Sequence, residues 1–285
     1  MTPARKRALD LTDPSAIRGV ARRFGVRYLR RWGQNFLADR SQLERLMEAL
    51  QLSVEDRVVE VGPGLGALTI ELAERARAVV GVEIDPAAVK ALALTLHGRS
   101  NVRIIEANIL RTAVSELLPA PYRVIGNIPY NLTGALFTHL LEEPAPPARI
   151  DLLVQREVAE RLVAPPGGWS LATLGVRVYG TPELVLRVPR TAFVPQPKVD
   201  SALVRIVPDA QPALPRDQLP SFFAFVTPFF QARRKQLAYV FGRKLGVGGA
   251  EARAQLSVIG IDPARRAETL TLEEWRRLFL NERAP

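Results

Sequence analysis

The sequence predicts an α/β chain: an open, mostly parallel sheet whose strands alternate with helices, followed by a small all-helical C-terminal domain. Three observations carry this. Arg57-Val58-Val59-Glu60-Val61 leads into Gly62-Pro63-Gly64-Leu65-Gly66-Ala67-Leu68 and an apolar-periodic stretch through Ala76, which is strand, glycine turn and helix. Val79-Val80-Gly81-Val82-Glu83-Ile84-Asp85 is a second β-like run that ends in carboxylates. Tyr122-Arg123-Val124-Ile125-Gly126 is an apolar run that closes on Asn127-Ile128-Pro129-Tyr130. Strands separated by helical patterns favour a parallel sheet, and in such sheets ligands bind at the carboxyl ends of the strands.

Each element then has its own reading. The glycines after Val61 lack Cβ atoms, so the backbone can turn tightly and a ligand can approach the following helix N-terminus. Pro63 and the lack of a G-x-G-x-x-G spacing argue against a pyrophosphate ligand and for a smaller adenosine-type cofactor with an amino-acid tail. Glu83 falls 21 residues after Gly62, where an acid accepts hydrogen bonds from both ribose hydroxyls. Asp85-Pro86 reads as a helix N-cap with proline at the first helical position. A third strand, Asn101 to Ala107, ends at Asn108, read either as an amide for the adenine edge or as a turn residue. Asn127 to Tyr130 suits a planar base whose exocyclic amine is held while its face is stacked. The same four residues also fit a plain proline turn with Tyr130 in the core.

Taken together, the stretch from about Gly33 to Leu278 resembles the small-subunit ribosomal RNA adenine dimethyltransferases, which use S-adenosylmethionine. The resemblance is carried by Gly33-Gln34-Asn35-Phe36-Leu37, Glu60 to Leu68, Asn127 to Tyr130, Val154-Gln155-Arg156-Glu157-Val158-Ala159, and Phe193-Val194-Pro195-Gln196-Pro197-Lys198-Val199-Asp200-Ser201. It implies a Rossmann-like methyltransferase sheet with S-adenosylmethionine as cofactor and no metal. On the cofactor side it implies Asn35 and Leu37 over the ligand, Glu60, Gly62 and Gly64 at its methionine part, Glu83 and Ile84 at the ribose, and Asn108 at the adenine. Asn108 stands where the family usually has Asp. On the target side it implies Asn127, Ile128, Pro129 and Tyr130, with Phe193 as a second aromatic beside the base. Trp169-Ser170-Leu171 and Arg177 depart from the family pattern. The implied activity is dimethylation of two adjacent adenines in the 3′-terminal hairpin of small-subunit (16S) rRNA, within a pre-30S particle and by a monomer, with a role in subunit assembly. The alternatives are a large-subunit rRNA adenine methyltransferase of the macrolide-resistance type and a non-catalytic assembly or RNA-binding factor. Methylation of a protein amide usually shows Pro-Pro after the Asn, which Ile128-Pro129 is not.

Composition bounds the rest. With 285 residues, 47% hydrophobic and 24% charged, the chain is an ordinary globular protein with a sizeable core. No cysteine is present, which excludes disulfides and a thiolate nucleophile, and two histidines, His97 and His139, do not make a metal cluster. No apolar run reaches membrane-spanning length and no signal peptide is visible, so no membrane partner and a cytoplasmic location are expected. Residues 1–40 carry ten Lys/Arg against three Asp/Glu, and residues 220–285 eleven against six. Subtracting both balances from the overall +10 leaves −2 for the middle. Basic ends around a near-neutral catalytic region suit a polyanion substrate.

The domain boundaries follow. Residues 1–32 read as a basic N-terminal extension, whose first 20 residues, interrupted by Pro, Asp and Ser, are expected as a solvated tail. Arg22-Arg23 and Arg30-Arg31, interleaved with Phe24, Tyr28 and Trp32, are expected to touch RNA, as is Lys198. Residues 33–207 form the methyltransferase domain, and 208–220, rich in proline, a linker. Residues 221–285 form a helical RNA-binding domain. Within it, Phe222 to Phe241 shows helical spacing with Phe223, Val226, Phe230 and Leu237 as its core stripe and Arg233-Arg234-Lys235 inside it. Ile261 to Leu280 reads as a helix pair opened by Asp262-Pro263.

Overall fold

The computed structural model describes residues 9–26, 35–129 and 132–282. The chain divides into two compact units, Met1–Ala159 with Glu183–Val207, and Glu160–Pro182 with Pro208–Pro285. The second unit therefore takes in a stretch, 160–182, that a single cut near residue 207 assigns to the sheet.

The first unit is built on a seven-stranded sheet. In chain order it holds α1 (Pro14–Phe24), β1 (Phe36–Leu37), α2 (Arg40–Leu50), β2 (Arg57–Val61), α3 (Ala67–Arg75), β3 (Ala78–Glu83), α4 (Pro86–Thr95), β4 (Val102–Glu106), β5 (Arg123–Asn127), α5 (Thr133–Glu142) and β6 (Arg149–Gln155). After α6 (Arg156–Val163) and α7 (Leu171–Arg177) come β7 (Gly180–Val188), β8 (Phe193–Val194) and β9 (Ser201–Pro208). The sheet order is β4-β3-β2-β5-β6-β9-β7. β2 pairs in parallel with β3 on one side and β5 on the other, and β6 pairs antiparallel with β9. The chain thus reverses its direction of winding between β2 and β5, which opens a crevice at their carboxyl ends.

Burial explains the strands. The residues of β2 after Arg57 are buried, as are those of β3 after Ala78, and such near-continuous apolar runs are typical of a parallel sheet covered on both faces. Leu43, Leu46 and Leu50 of α2 and Leu68 and Leu72 of α3 pack with Val58, Val79 and Ile125 in one core. Near the amino ends of the central strands, Asp151 is fully buried and receives Arg149 at 2.6 Å, Arg205 at 2.8 Å and Arg123 at 3.0 Å. The same guanidiniums donate to Ala49 O and Leu50 O, the last carbonyls of α2, which have no partner within the helix. A buried carboxylate is tolerated here because several cations and hydrogen bonds compensate its lost hydration.

The N-terminal segment departs from the expected tail. Asp13 caps α1 by accepting from Ser15 N at 2.8 Å, Pro14 occupies the first helical turn, and Gly25 ends the helix at φ 71°. The residues read as interruptions are helix start signals. Ile17, Val20 and Ala21 pack with Leu65, Ala88 and Ala91, and Arg40 bridges Asp10 to Glu71 at 3.0 and 2.6 Å.

The second unit is helical. Ser170 and Thr173 form a capping box at the start of α7. The proline-rich stretch read as a linker is pinned: Asp209 N donates to Tyr179 O, Ala213 N donates to Val178 O, and Leu214 is buried. α8 (Leu219–Gln231) begins inside that stretch, and α9 (Leu237–Leu245), α10 (Gly249–Val258) and α11 (Leu272–Glu282) follow. The helical spacing over 222–241 spans two helices, because Ala232 ends α8 and Arg233-Arg234-Lys235 form the turn. The first amides of α9 find acceptors elsewhere, Leu237 N on Arg265 O and Ala238 N on Pro263 O. The expected pair over 261–280 is one 3-10 turn, Ala267–Thr269, and one α-helix, while α10 was not foreseen. Phe222, Phe225 and Phe229 meet Phe279 and Trp275 with ring centroids 5.3–5.7 Å apart, and Phe223 is only half-buried.

Candidate functional site

A cavity of about 300 Å³ opens where β2, β3, β4 and β5 end. Its floor is the turn after β2. Gly64 has φ 60°, and a Cβ there would meet Phe36 Cε1 at 2.8 Å, so both the backbone conformation and the close approach of β1 require glycine. Gly126 is equally constrained, since a Cβ would lie 2.7 Å from Val61 O across the β2–β5 seam.

Two carboxylates stand in the wall. Glu83 Oε2 accepts from Gly64 N at 2.9 Å, and Oε1 accepts from Ile84 N at 2.9 Å and Asp85 N at 3.0 Å. Burial raises its pKa, opposed by those three amides. Glu60 is 1% exposed, and its Oε2 has no hydrogen-bond partner among the described residues. Burial, with the Glu83 charge adding to it, pushes the Glu60 carboxyl up to about 8.

Two amides complete the polar set. Asn108 caps the 3-10 turn Ile109–Arg111 by accepting from Leu110 N at 3.0 Å on Oδ1, which leaves its Nδ2 as a donor with no partner among the described residues. Asn127, the last residue of β5, donates from Nδ2 to Asn35 O at 2.8 Å, so its Oδ1 is the acceptor left over among the described residues. This bond ties the segment before β1 to the carboxyl end of β5.

Of the residues expected at the site, Asn35, Leu37, Glu60, Gly62, Gly64, Glu83, Ile84, Asn108, Asn127, Ile128 and Pro129 all line this cavity. Tyr130 lies outside the described residues, as do Tyr28, Arg30, Arg31, Trp32, Gly33 and Gln34. Phe193, expected beside the target base, is not among the residues that line this cavity: it is 2% exposed, pairs with Leu37 across β1–β8, and belongs to the same core cluster as Leu37. Leu11 and Ile17 line the cavity although the sequence reading left them in a tail. The signal was present in Asp13-Pro14 followed by apolar residues at helical spacing. Arg22, Arg23 and Lys198 are exposed in the first unit, and Arg233, Arg234 and Lys235 are exposed in the second. No group of side chains among the described residues could hold a metal.

A buried, acid-lined cavity with a glycine floor fits a cationic, adenosine-sized ligand, and comparison with known proteins decides the class. A family model described as ribosomal RNA adenine dimethylase matches residues 27–282. The chain belongs to the ribosomal RNA adenine dimethylase family. Among its relatives, a protein of Dehalococcoides mccartyi named ribosomal RNA small subunit methyltransferase A is 42% identical over 250 residues, covering 87% of this chain and 86% of the relative. One of the same name from Anoxybacillus flavithermus is 37% identical over 281 residues, covering 94% and 95%. Among solved structures, the 23S rRNA methyltransferase ErmE is 33% identical with a TM-score of 0.68, covering 87% of this chain and 99% of that one. A dimethyladenosine transferase from Plasmodium falciparum superposes with a TM-score of 0.72 at 22% identity, covering 85% and 95%, and shares the fold. As a member of this dimethylase family the chain is a methyltransferase, and its cavity occupies the place the sheet topology reserves for a ligand.

Proposed function

We propose that the protein uses S-adenosylmethionine to dimethylate the exocyclic amines of two adjacent adenines in the 3′-terminal hairpin of small-subunit rRNA, acting as a monomer on a pre-30S particle. The observation that carries this reading is Asn127, whose Nδ2 is committed to Asn35 O and whose Oδ1 remains as an acceptor at the cavity.

The residues fit the cofactor in detail. Glu83 accepts from the ribose hydroxyls while its backbone bonds hold it in place. Glu60, buried without a partner on Oε2, faces the cationic methionine part. Asn108, with its Oδ1 taken by Leu110 N, presents its Nδ2 as a donor that suits a ring nitrogen of the adenine. The cofactor supplies an electrophilic methyl on a sulfonium.

The target adenine is drawn out of its RNA context into the pocket. Its amine is a poor nucleophile because the nitrogen lone pair is delocalised into the ring. Hydrogen bonds from that amine to Asn127 Oδ1 and to the Ile128 carbonyl favour a pyramidal nitrogen and aim its lone pair at the methyl. A nitrogen–carbon bond forms as the sulfur–carbon bond breaks, and the nitrogen, acidic only after alkylation, releases its proton to water. Positioning therefore supplies most of the rate, and amide and backbone groups suffice where a carboxylate base might have stood. A second cycle acts on the monomethyl product.

The names and coverage of the curated relatives favour the small subunit over the large-subunit reading suggested by the ErmE likeness. The test is incubation with labelled cofactor and under-methylated small subunits, with naked large-subunit RNA in parallel, followed by mapping of the modified nucleotides. Two adjacent dimethylated adenines near the small-subunit 3′ end are expected. Label on the large-subunit RNA alone would establish the alternative, and no label on either would leave a non-catalytic binding factor.

A further inference from the structure

A second cavity, of about 270 Å³, lies wholly within the helical unit and is lined by Arg161, Trp169, Ser170, Phe230, Arg233 and Glu268, among others. It belongs to neither the cofactor nor the target adenine. Resting on the reading that the substrate is RNA, we propose that this cavity receives one further unpaired nucleotide of that RNA, with guanine as its base.

The charges of the cavity are uncommitted. Arg161 and Arg233 are exposed, and neither guanidinium forms an ion pair among the described residues. Glu268 lines the same space, yet no arginine nitrogen lies within 4.0 Å of its carboxylate among the described ion pairs. Two cations and an acid that share a concave space without pairing are free to meet a ligand carrying both anionic and donor groups. An RNA nucleotide is such a ligand: its phosphates suit guanidinium forks, and its base edge offers N–H donors.

The walls are fixed in advance. The Trp169 indole N–H donates to Ala164 O at 2.9 Å, and Arg177 lies 5.2 Å from the ring centroid, so the aromatic is held in place. Gly167 N donates to Glu268 O at 2.7 Å, which anchors the backbone of the acid to the loop preceding Trp169. Ser170 is occupied by its capping box with Thr173. A pocket with aromatic walls and a polar rim is the usual means of holding a base splayed out of a single-stranded loop.

The preference for guanine follows from Glu268. An ionised carboxylate only accepts hydrogen bonds. Guanine offers two adjacent donors, N1–H and N2–H, to such a pair of oxygens. Adenine and cytosine offer an amine beside a ring acceptor, and uracil a single N–H between two carbonyls. Bidentate acceptance is therefore possible for guanine alone among the four.

The test is calorimetric titration of the full chain with GMP, AMP, CMP, UMP and inorganic phosphate, with saturating S-adenosylhomocysteine present to fill the first cavity. GMP is expected to bind at least about tenfold tighter than the other four, since a charged hydrogen bond is lost with each. Glu268→Gln keeps the side-chain shape and the backbone carbonyl that holds Gly167, and it is expected to remove that preference. It should also weaken binding to under-methylated small subunits by about tenfold with cofactor affinity unchanged. Equal affinity for all four nucleotides, or a guanine preference that survives both Glu268→Gln and Glu268→Ala, overturns the proposal. Phosphate binding as tightly as GMP would reduce the cavity to an anion site and overturn it as well. Methylation by the wild-type protein, measured in parallel, tests the proposed function separately: guanine selectivity without methyl transfer would count against that function and leave the nucleotide pocket standing.

Discussion

The Nδ2 of Asn127 donates to the carbonyl oxygen of Asn35 at 2.8 Å, 92 residues away in sequence. One side chain thus closes the cavity wall with its donor and presents its acceptor to the space within. An aspartate could not do both, because it has no donor when ionised. This geometry makes an amide the fitting side chain at the end of β5.

Asn127→Ala is expected to abolish methyl transfer, while cofactor affinity falls by only a few-fold through the loosened Asn35 segment. Asn127→Asp should be as inactive, since it keeps the acceptor and loses the wall. Single-turnover methylation and calorimetry separate the two effects. An active Asn127→Asp enzyme would show that the bond to Asn35 is dispensable.

Glu83 performs two tasks with one carboxylate, holding the Gly64, Ile84 and Asp85 amides and offering its remaining lone pairs to the ligand. Hydrogen bonds to a charged group contribute on the order of 1.5 to 3 kcal/mol each. Glu83→Ala should therefore weaken cofactor binding by at least about tenfold and leave RNA binding in place. Unchanged cofactor affinity by calorimetry would sink the ribose assignment.

The ligand-facing strand ends were readable in the sequence because they obey local rules: β2, its glycine turn, Glu83 and Asn127 each announce themselves within a few residues. The contribution of α1 was missed for the opposite reason. Asp13-Pro14 serves equally as a break and as a helix start, and only the packing of Ile17 against Ala88 and Ala91, far along the chain, decides between them. The place of Phe193 is legible only in part: its motif fixes the strand, but where its ring points depends on the β1–β8 register, which sequence spacing does not carry. The break between α8 and α9 was hidden because apolar residues keep helical spacing across it, while the acceptors that cap α9 come from residues 263 and 265.

The packing of α1 yields a test. Ile17 is 1% exposed and lines the cavity, so Ile17→Ala should cost about 2 to 5 kcal/mol of stability, as buried Ile to Ala changes do. Loss of the helix should also weaken cofactor binding. Chemical denaturation and calorimetry on Ile17→Ala, and on a chain lacking residues 1–26, measure both. If the shortened chain bound cofactor as tightly as the full one, α1 would be packing only.

Glu60 makes the cavity sensitive to pH. Its folded pKa of about 8 lies above its ordinary 4.5, so between those values the folded protein holds a proton that the unfolded chain has released. The associated stability is fully present below about 4.5 and is lost as pH rises through about 8. Glu60→Gln should flatten this decline. A cationic ligand beside Glu60 favours the carboxylate, so cofactor binding at pH 7 should release a proton, visible as a heat that varies with the ionisation enthalpy of the buffer. Proton release that persists in Glu60→Gln would assign it to another group.

The turn between α8 and α9 sets the last prediction. Arg233, Arg234 and Lys235 are exposed, and the stretch from Gln218 to Ala250 carries five Lys/Arg and no Asp or Glu. Exposed cations that form no ion pair among the described residues are suited to phosphates, and each one that neutralises a phosphate releases a counterion. Log affinity then falls with log salt by about 0.9 per contact on duplex and about 0.7 on single strands. Replacing all three by Ala should weaken binding to small subunits and lower the slope by about 2 to 3, with cofactor affinity unchanged, because the cofactor cavity is built entirely from the other unit. Because the three sit in a turn, their removal spares the apolar faces of α8 and α9, so the variant should unfold at nearly the wild-type temperature. A preserved salt slope would mean that these cations face solvent in the bound state, and the grip on RNA would then have to come from elsewhere on the chain, with Arg22, Arg23 and Lys198 the next residues to change.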